Sequence, residues 1–350
     1  MEKLSKNEET VLGNGILPAN VVVTGNIESR IISEKLSEEG NTVSFIHLDE
    51  SVNLGNKNIA FKEMHPAINL ANQQGSDLVI GVDVTSDKLS LAVRKSLKGA
   101  FQLLNAHQLA VLLTYIWIND HVGEELILIK SSQISEMVDK MADKERIEYL
   151  TRVIESGKLG EVIEEVSTSR KDAVVAGFTE NQEFYQAGKD LVCIVKRLVE
   201  MEMKLRSENN TLYDKLVELY QQHGYYKEKT FAVDFTDDAH RKHLLDAMAG
   251  IRKNPAFIKE RLNVLRVTDY YKGKVKNLIS QNITTIDQSG YNILKLDMEN
   301  GTSLTFVPAE DKMYYYLGIK EVFRDKESMI EVNRNFDEHA LHIMQIINKL

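Results

Sequence analysis

Residues 76–94, S-D-L-V-I-G-V-D-V-T-S-D-K-L-S-L-A-V-R, leave few folds open. Leu78 to Val82 is a short apolar run of the kind that fills a buried strand. Asp83 to Lys88 makes a tight acidic loop, and Leu89 to Val93 reads as a second strand. An apolar strand that ends in carboxylates puts charge at its carboxyl end, where open α/β sheets gather their ligands. Asp83 and Asp87 are hard oxygen donors able to hold a divalent cation. Acidic turns of this kind are also common as plain solvated loops, so spacing alone leaves both readings open.

Around that stretch the chain keeps a strand-helix rhythm. Val21 to Val23 is a β-branched run, Ile27 to Glu39 has helical spacing up to Gly40, and Val43 to Leu48 is a second strand. Ala67 to Gln74 is a short helix closed by Gly75. The pattern restarts near Gly99. It gives a helix over Gln108 to Ile118, a strand over Glu125 to Lys130, and a helix capped by Ser131 or Ser132 and running to Ala142. Asp172 to Phe178 is another strand, followed by the polar loop T-E-N-Q-E. A long helix spans Lys189 to Arg206, and Thr211 caps a further one over Leu212 to Gln222, stopped by Gly224. After Tyr225 the composition shifts. Phe231 to Phe235, Asn263 to Thr268 and Met313 to Ile319 read as strands. Asn292 to Met298 and Ser303 to Val307 form a hairpin about Asn300-Gly301. Asp237 to Ile251 and Phe336 to Leu350 are helices, so this last unit is α+β.

Bulk properties narrow the function. The 350 residues suffice for two or three domains. A net charge of -9 argues against nucleic acid or an anionic membrane as the main partner. The single cysteine, Cys193, lies in an apolar helical pattern, which excludes cysteine-cluster metal sites and fits a reducing cytoplasm. No apolar run reaches the ~18–20 residues that span a bilayer, and the first residues do not read as a secretory signal. His240 with His243, and His339 with His342, are spaced i,i+3 on expected helices, without an evident third metal ligand. No phosphate-loop, dinucleotide-binding or nucleophile-elbow motif is present.

Several stretches are similar, in order, to the α-D-phosphohexomutase superfamily of phosphoglucomutases and phosphomannomutases. The loop at Asp83 resembles that family's D-P-D-A-D-R metal loop between strands like A-D-L-V-I-A and L-G-V-A-V-R. F-Q-L-L-N-A-H-Q-L-A-V-L-L-T-Y-I resembles Y-R-L-L-T-G-N-Q-L-G-A-L-L-L-D-Y-I, and A-G-F-T-E-N-Q-E resembles the sugar-recognition segment G-F-E-E-S-Y-G. T-L-Y-D-K-L-V-E-L-Y-Q-Q-H-G-Y-Y-K-E-K is similar to T-L-Y-D-L-L-D-E-L-Y-E-K-Y-G-Y-Y-K-E-K of the phosphoglucomutase branch. N-I-L-K-L-D-M-E-N-G-T-S-L-T-F-V-P resembles N-V-L-K-F-Y-L-E-D-G-S-W-V-V-V-R-P. The resemblance implies two consecutive mixed α/β/α phosphohexomutase-type domains, 19–98 with the metal loop and 99–227 with the sugar loop. A C-terminal α+β domain like the TATA-box-binding protein follows over 228–350, with the phosphate loop, and 1–18 is expected as an arm. The family's serine motif, T-A-S-H-N-P, has no expected counterpart.

Residue by residue, the resemblance carries over unevenly. Asp83 and Asp87 match the first and third metal-binding aspartates, but Thr85 stands where the middle one should be, and Lys88 replaces an arginine. Losing one carboxylate of three weakens a magnesium site, so no cofactor, or weakly bound Mg2+, is expected. Glu180 matches one of two sugar-loop glutamates, with Thr179 and Asn181 in the neighbouring positions. Against the phosphate loop R-P-S-G-T-E-P-K the chain has V-P-A-E-D-K. Val307 and Ala309 replace the Arg and Ser, leaving Lys312 as the cation beside Glu310 and Asp311. Two carboxylates there repel a phosphate dianion. The expectation is a phosphoglucomutase-like protein without catalysis, acting by binding a protein partner, a second copy of itself or a sugar phosphate. The competing expectation is an active subunit completed by a serine domain in trans.

Overall fold

Residues 18–48, 61–255, 258 and 262–347 are described in the computed structural model. The arm expected over 1–18, apart from its final proline, and the last three residues of the closing helix lie outside the described residues. The chain forms two compact units. One draws on residues up to Ile134 and on 141–218, the other on 135–140 and 219–350.

The first unit holds two sheets. In the first, β1 (Asn20–Gly25), α1 (Arg30–Glu38), β2 (Thr42–His47), α2 (Phe61–Gln74), β3 (Leu78–Asp83), β4 (Lys88–Arg94) and β5 (Phe101–Leu103) follow in sequence. The strand order is β2-β1-β3-β4-β5. β1 is parallel to β2 and β3, and the remaining pairs are antiparallel. Every residue of β3 and β4 is buried, because both faces of the sheet are covered; this is why β3 reads as a continuous apolar run rather than an alternation. Val22, Met64, Ala67, Val79 and Ala92 pack one face. α2 begins earlier than the expected start at Ala67 and carries Pro66 inside it. A proline forfeits one helical N–H bond, which makes the residue after it a natural but mistaken place to begin the helix.

The second sheet follows with α3 (Ala106–Asp120), β6 (Glu125–Ser131), α4 (Glu136–Glu145), β7 (Glu148–Arg152), α5 (Leu159–Ser169), β8 (Ala173–Phe178), β9 (Phe184–Gln186), α6 (Leu191–Ser207) and α7 (Leu212–His223). Its order is β7-β6-β8-β9, with β6 parallel to both β7 and β8, and β9 antiparallel. α3 starts with a capping box between Asn105 and Gln108. The expected cap of α4 is corrected: Ser131 closes β6, and the Ser135 hydroxyl accepts from the Met137 N–H at 3.2 Å. Thr211 does cap α7, accepting from the Asp214 N–H while Asp214 accepts from the Thr211 N–H. Cys193 lies on α6 as expected but on its exposed face.

The second unit is one seven-stranded antiparallel sheet with helices. Its elements are β10 (Tyr225–Asp234), α8 (Asp238–Lys253), β11 (Val264–Asp269), β12 (Lys274–Asn277), β13 (Ile283–Thr285), β14 (Leu294–Met298), β15 (Ser303–Pro308), β16 (Lys312–Glu321) and α9 (Met329–Ile347). The order is β10-β16-β15-β14-β11-β12-β13. The Asn300-Gly301 hairpin joins β14 and β15 as expected, with Gly301 at φ 81°. Tyr315 enters the core, where Leu296, Phe306 and Phe336 also lie, while Tyr314 and Tyr316 share the opposite face. The molecule is thus mixed α/β with a closing α+β unit, as the sequence led us to expect.

Candidate functional site

The acidic loop is built around Asp83, the last residue of β3. Its side chain is 5% exposed and both oxygens are occupied. Oδ1 accepts from the Asn26 amide at 3.1 Å, the Thr85 N–H at 3.0 Å and the Thr85 hydroxyl at 2.6 Å. Oδ2 accepts from the Ser86 hydroxyl at 2.6 Å. Burial alone would raise the Asp83 pKa, but the bonds from Ser86 and Thr85, with the Lys88 charge nearby, outweigh it and hold the carboxyl below its usual range. Asn26 is placed by Gly25, where a Cβ would fall 2.4 Å from the Val82 carbonyl oxygen, so only glycine lets β1 run this close to β3.

Asp87 closes the turn at φ 50°, a left-handed conformation that aspartate tolerates better than most residues. Burial and the charges of Glu183 and Asp83 raise its pKa. Lys88 then enters β4 fully buried, and burial depresses its pKa against the opposing pull of Glu183 and Asp83.

The sugar-loop segment meets this loop directly. The Leu89 N–H donates to the Gln182 carbonyl and the Phe184 N–H to the Asp87 carbonyl, both at 3.0 Å, and Lys88 and Glu183 form an antiparallel bridge. Glu183 is 3% exposed and accepts from the Gly157 N–H at 2.8 Å, the Ser156 hydroxyl at 3.0 Å and the Thr179 hydroxyl at 3.2 Å. Sequence reasoning singled out Glu180 and passed over Glu183. Both acids lie in T-E-N-Q-E, and nothing local reveals which one turns inward. Glu180 is half-buried and accepts from the Ser131 hydroxyl at 2.5 Å; burial raises its pKa against that bond. Asp83, Asp87 and Glu180 are therefore brought into one neighbourhood of the first unit, with Lys88 and Glu183 between them.

This donor set does not fit a resident divalent ion. Thr85 contributes a hydroxyl whose proton already points at Asp83, and Asp83 has given its lone pairs to protein donors. Among the described residues no group of three or more His, Cys, Asp or Glu is arranged to hold a metal, and this includes both histidine pairs. His339 lies 2.7 Å from Glu321 instead.

In the second unit, the segment matched to the phosphate loop is a tight turn between β15 and β16. The Ala309 N–H donates to the Lys312 carbonyl at 2.8 Å. The Lys312 ammonium sits 3.1 Å from Asp311 and 3.3 Å from Asp234, which raise its pKa. The cation that was to meet a phosphate is shared between two carboxylates.

No family model matches the chain. The phosphoglucomutase of Staphylococcus saprophyticus is 22% identical over 280 residues, covering 78% of this chain and 50% of that protein. That of Staphylococcus aureus strain MSSA476 is 24% identical over 287 residues, covering 80% and 49%. The chain spans about half the length of the curated relatives it matches. Among solved structures, the exocytosis-sensitive phosphoprotein pp63/parafusin, a phosphoglucomutase from Paramecium in its open form, has the same fold over 95% of this chain and 58% of its own, with a TM-score of 0.64 at 11% identity. Fold, order of matched stretches and these relatives agree: the chain is similar to phosphoglucomutases over about half of their length and shares their fold there.

Proposed function

We propose that this chain is a phosphohexomutase-like protein that does not itself transfer phosphoryl groups and acts as a binding or regulatory protein linked to sugar-phosphate metabolism. The observation that carries this reading is the saturation of Asp83 by Thr85, Ser86 and Asn26. Phosphoryl transfer relies on charge neutralisation at the phosphate oxygens, which in this class of chemistry falls largely to a metal and to positioned cations. Here hydroxyl protons take the place of a metal's charge at Asp83, and Lys312 is neutralised by Asp234 and Asp311. Glu180, beside Ser131, remains able to accept from a sugar hydroxyl. The relatives' name, phosphoglucomutase, makes glucose phosphates the first ligands to try.

Thermal shifts with magnesium chloride and glucose 1-phosphate, on the wild type and on Thr85→Asp, provide the test. The wild type should show no magnesium-dependent shift, while Thr85→Asp, restoring the third carboxylate, should gain one. A saturable magnesium shift in the wild type, together with conversion of glucose 1-phosphate to glucose 6-phosphate above buffer, would overturn the proposal in favour of an active subunit.

A further inference from the structure

The seven-stranded sheet of the second unit ends on one side in β13, 3 residues long, and on the other in β10, 10 residues long. β10 is the longer open edge, and the parity of its hydrogen bonds shows what it presents. Continued by one residue, its register on β16 sets Phe235 opposite Asp311, and the Phe235 N–H donates to the Asp311 carbonyl at 2.8 Å. Hydrogen-bonded positions recur at every second residue of an antiparallel ladder, so Phe231 and Val233 also bond to β16. Glu228, Thr230, Ala232 and Asp234 turn their N–H and C=O groups the other way, and no strand meets them among the described residues.

Protein sheets blunt such edges with proline, with bulges or by keeping them short. β10 contains neither proline nor glycine, and its register on β16 runs without a shift. On the face turned to the core, Phe231, Val233 and Phe235 are only partly buried. A further strand alongside would remove more of their apolar surface from water.

The residues along the edge select that strand. Antiparallel pairing opposes outward-facing residues to outward-facing residues, so a two-fold axis between two copies passes beside one of the four. At Glu228 or Asp234 the axis would set a carboxylate against its own copy. At Thr230 it would set Phe231 and Val233 opposite Lys229 and Lys227 of the second copy. At Ala232 it sets Phe231 opposite Val233 of the second copy and Lys229 opposite Phe235. An aromatic beside a β-branched residue and a cation beside a ring are both favourable across strands. Thr230 then faces Asp234 and Glu228 faces Thr236, so no two like charges stand directly opposite.

We propose that two copies of this chain associate through β10, antiparallel about Ala232, and join their seven-stranded sheets into one. The pairing is independent of the reading of Asp83 given above.

Sedimentation velocity of the full chain over a concentration series tests it. A dimer should form with rising concentration, at modest affinity, because one strand pair buries less than a standard interface. Ala232→Pro should abolish the dimer and keep the circular dichroism of the fold, since the N–H it removes faces away from β16. The register is read in a Cys193→Ser background. Ala232→Cys, opposite itself, should oxidise to a covalent dimer, whereas Lys229→Cys should not cross-link. If the proline variant does not fold, the two cysteine variants decide the matter. A chain still monomeric at ~100 μM overturns the proposal and leaves the edge to a different partner. A dimer that survives folded Ala232→Pro, or cross-linking at Lys229→Cys in place of Ala232→Cys, overturns it as well.

Discussion

At Asp83 the chain has exchanged a ligand for hydroxyls. The carboxylate that ends β3 sits in a closed circuit of Asn26, Thr85 and Ser86, so removing it strands donors rather than opening a site. Asp83→Ala should therefore lower unfolding stability by about 2 kcal/mol in urea titrations, the cost of leaving buried partners unpaired. Asp83→Asn, which keeps one acceptor oxygen, should cost less. The sequence revealed where this residue stands but not what it does. Position followed from an apolar run ending in an acid; saturation depended on Ser86 and Asn26, of which the second comes from the loop after β1. Glu183 was illegible for the same reason, since its partners Ser156, Gly157 and Thr179 are assembled only when β8 and the segment before α5 are in place.

Among the elements, those fixed by local chemistry were readable and those fixed by pairing were not. β3, α6, the Thr211 cap and the Asn300-Gly301 hairpin follow from apolar runs and turn residues. β5, β9, β12 and β13 are three or four residues long and have no periodicity of their own; their neighbours make them strands. β1 and β3 illustrate the other limit. Their close approach rests on Gly25, whose added Cβ would meet the Val82 carbonyl and, at 2.7 Å, the Ser29 Cβ. Neither neighbour can swing away, so Gly25→Ala should cost about 2–4 kcal/mol and shift the Asn26 amide from Asp83, seen as lost stability with altered amide chemical shifts at Thr85.

Over the whole molecule, pH response should be set partly by Glu202 on α6. It is fully buried, accepts from the Leu212 N–H at 2.7 Å and meets Arg206 at 3.3 Å. Burial pushes its pKa from 4.5 up to about 7, against those partners. A carboxyl raised on folding binds its proton more tightly in the native state, so its contribution is complete below pH 4.5 and is lost as pH climbs to about 7. Melting temperatures measured across that window should fall in the wild type and stay flatter in Glu202→Gln, which keeps the Leu212 acceptor. Lys88 and Glu183, held together by a backbone β-bridge, should by contrast respond little to added salt. Both groups are sealed from water, and buried charges are poorly screened. The surface cluster of Arg170 with Glu125 and Glu148 is open to solvent and should fade as salt rises. Hydrogen exchange in high salt should consequently leave the Phe184 amide as protected as before. The joint between the two loops then behaves as a fixed part of the fold in any ionic medium.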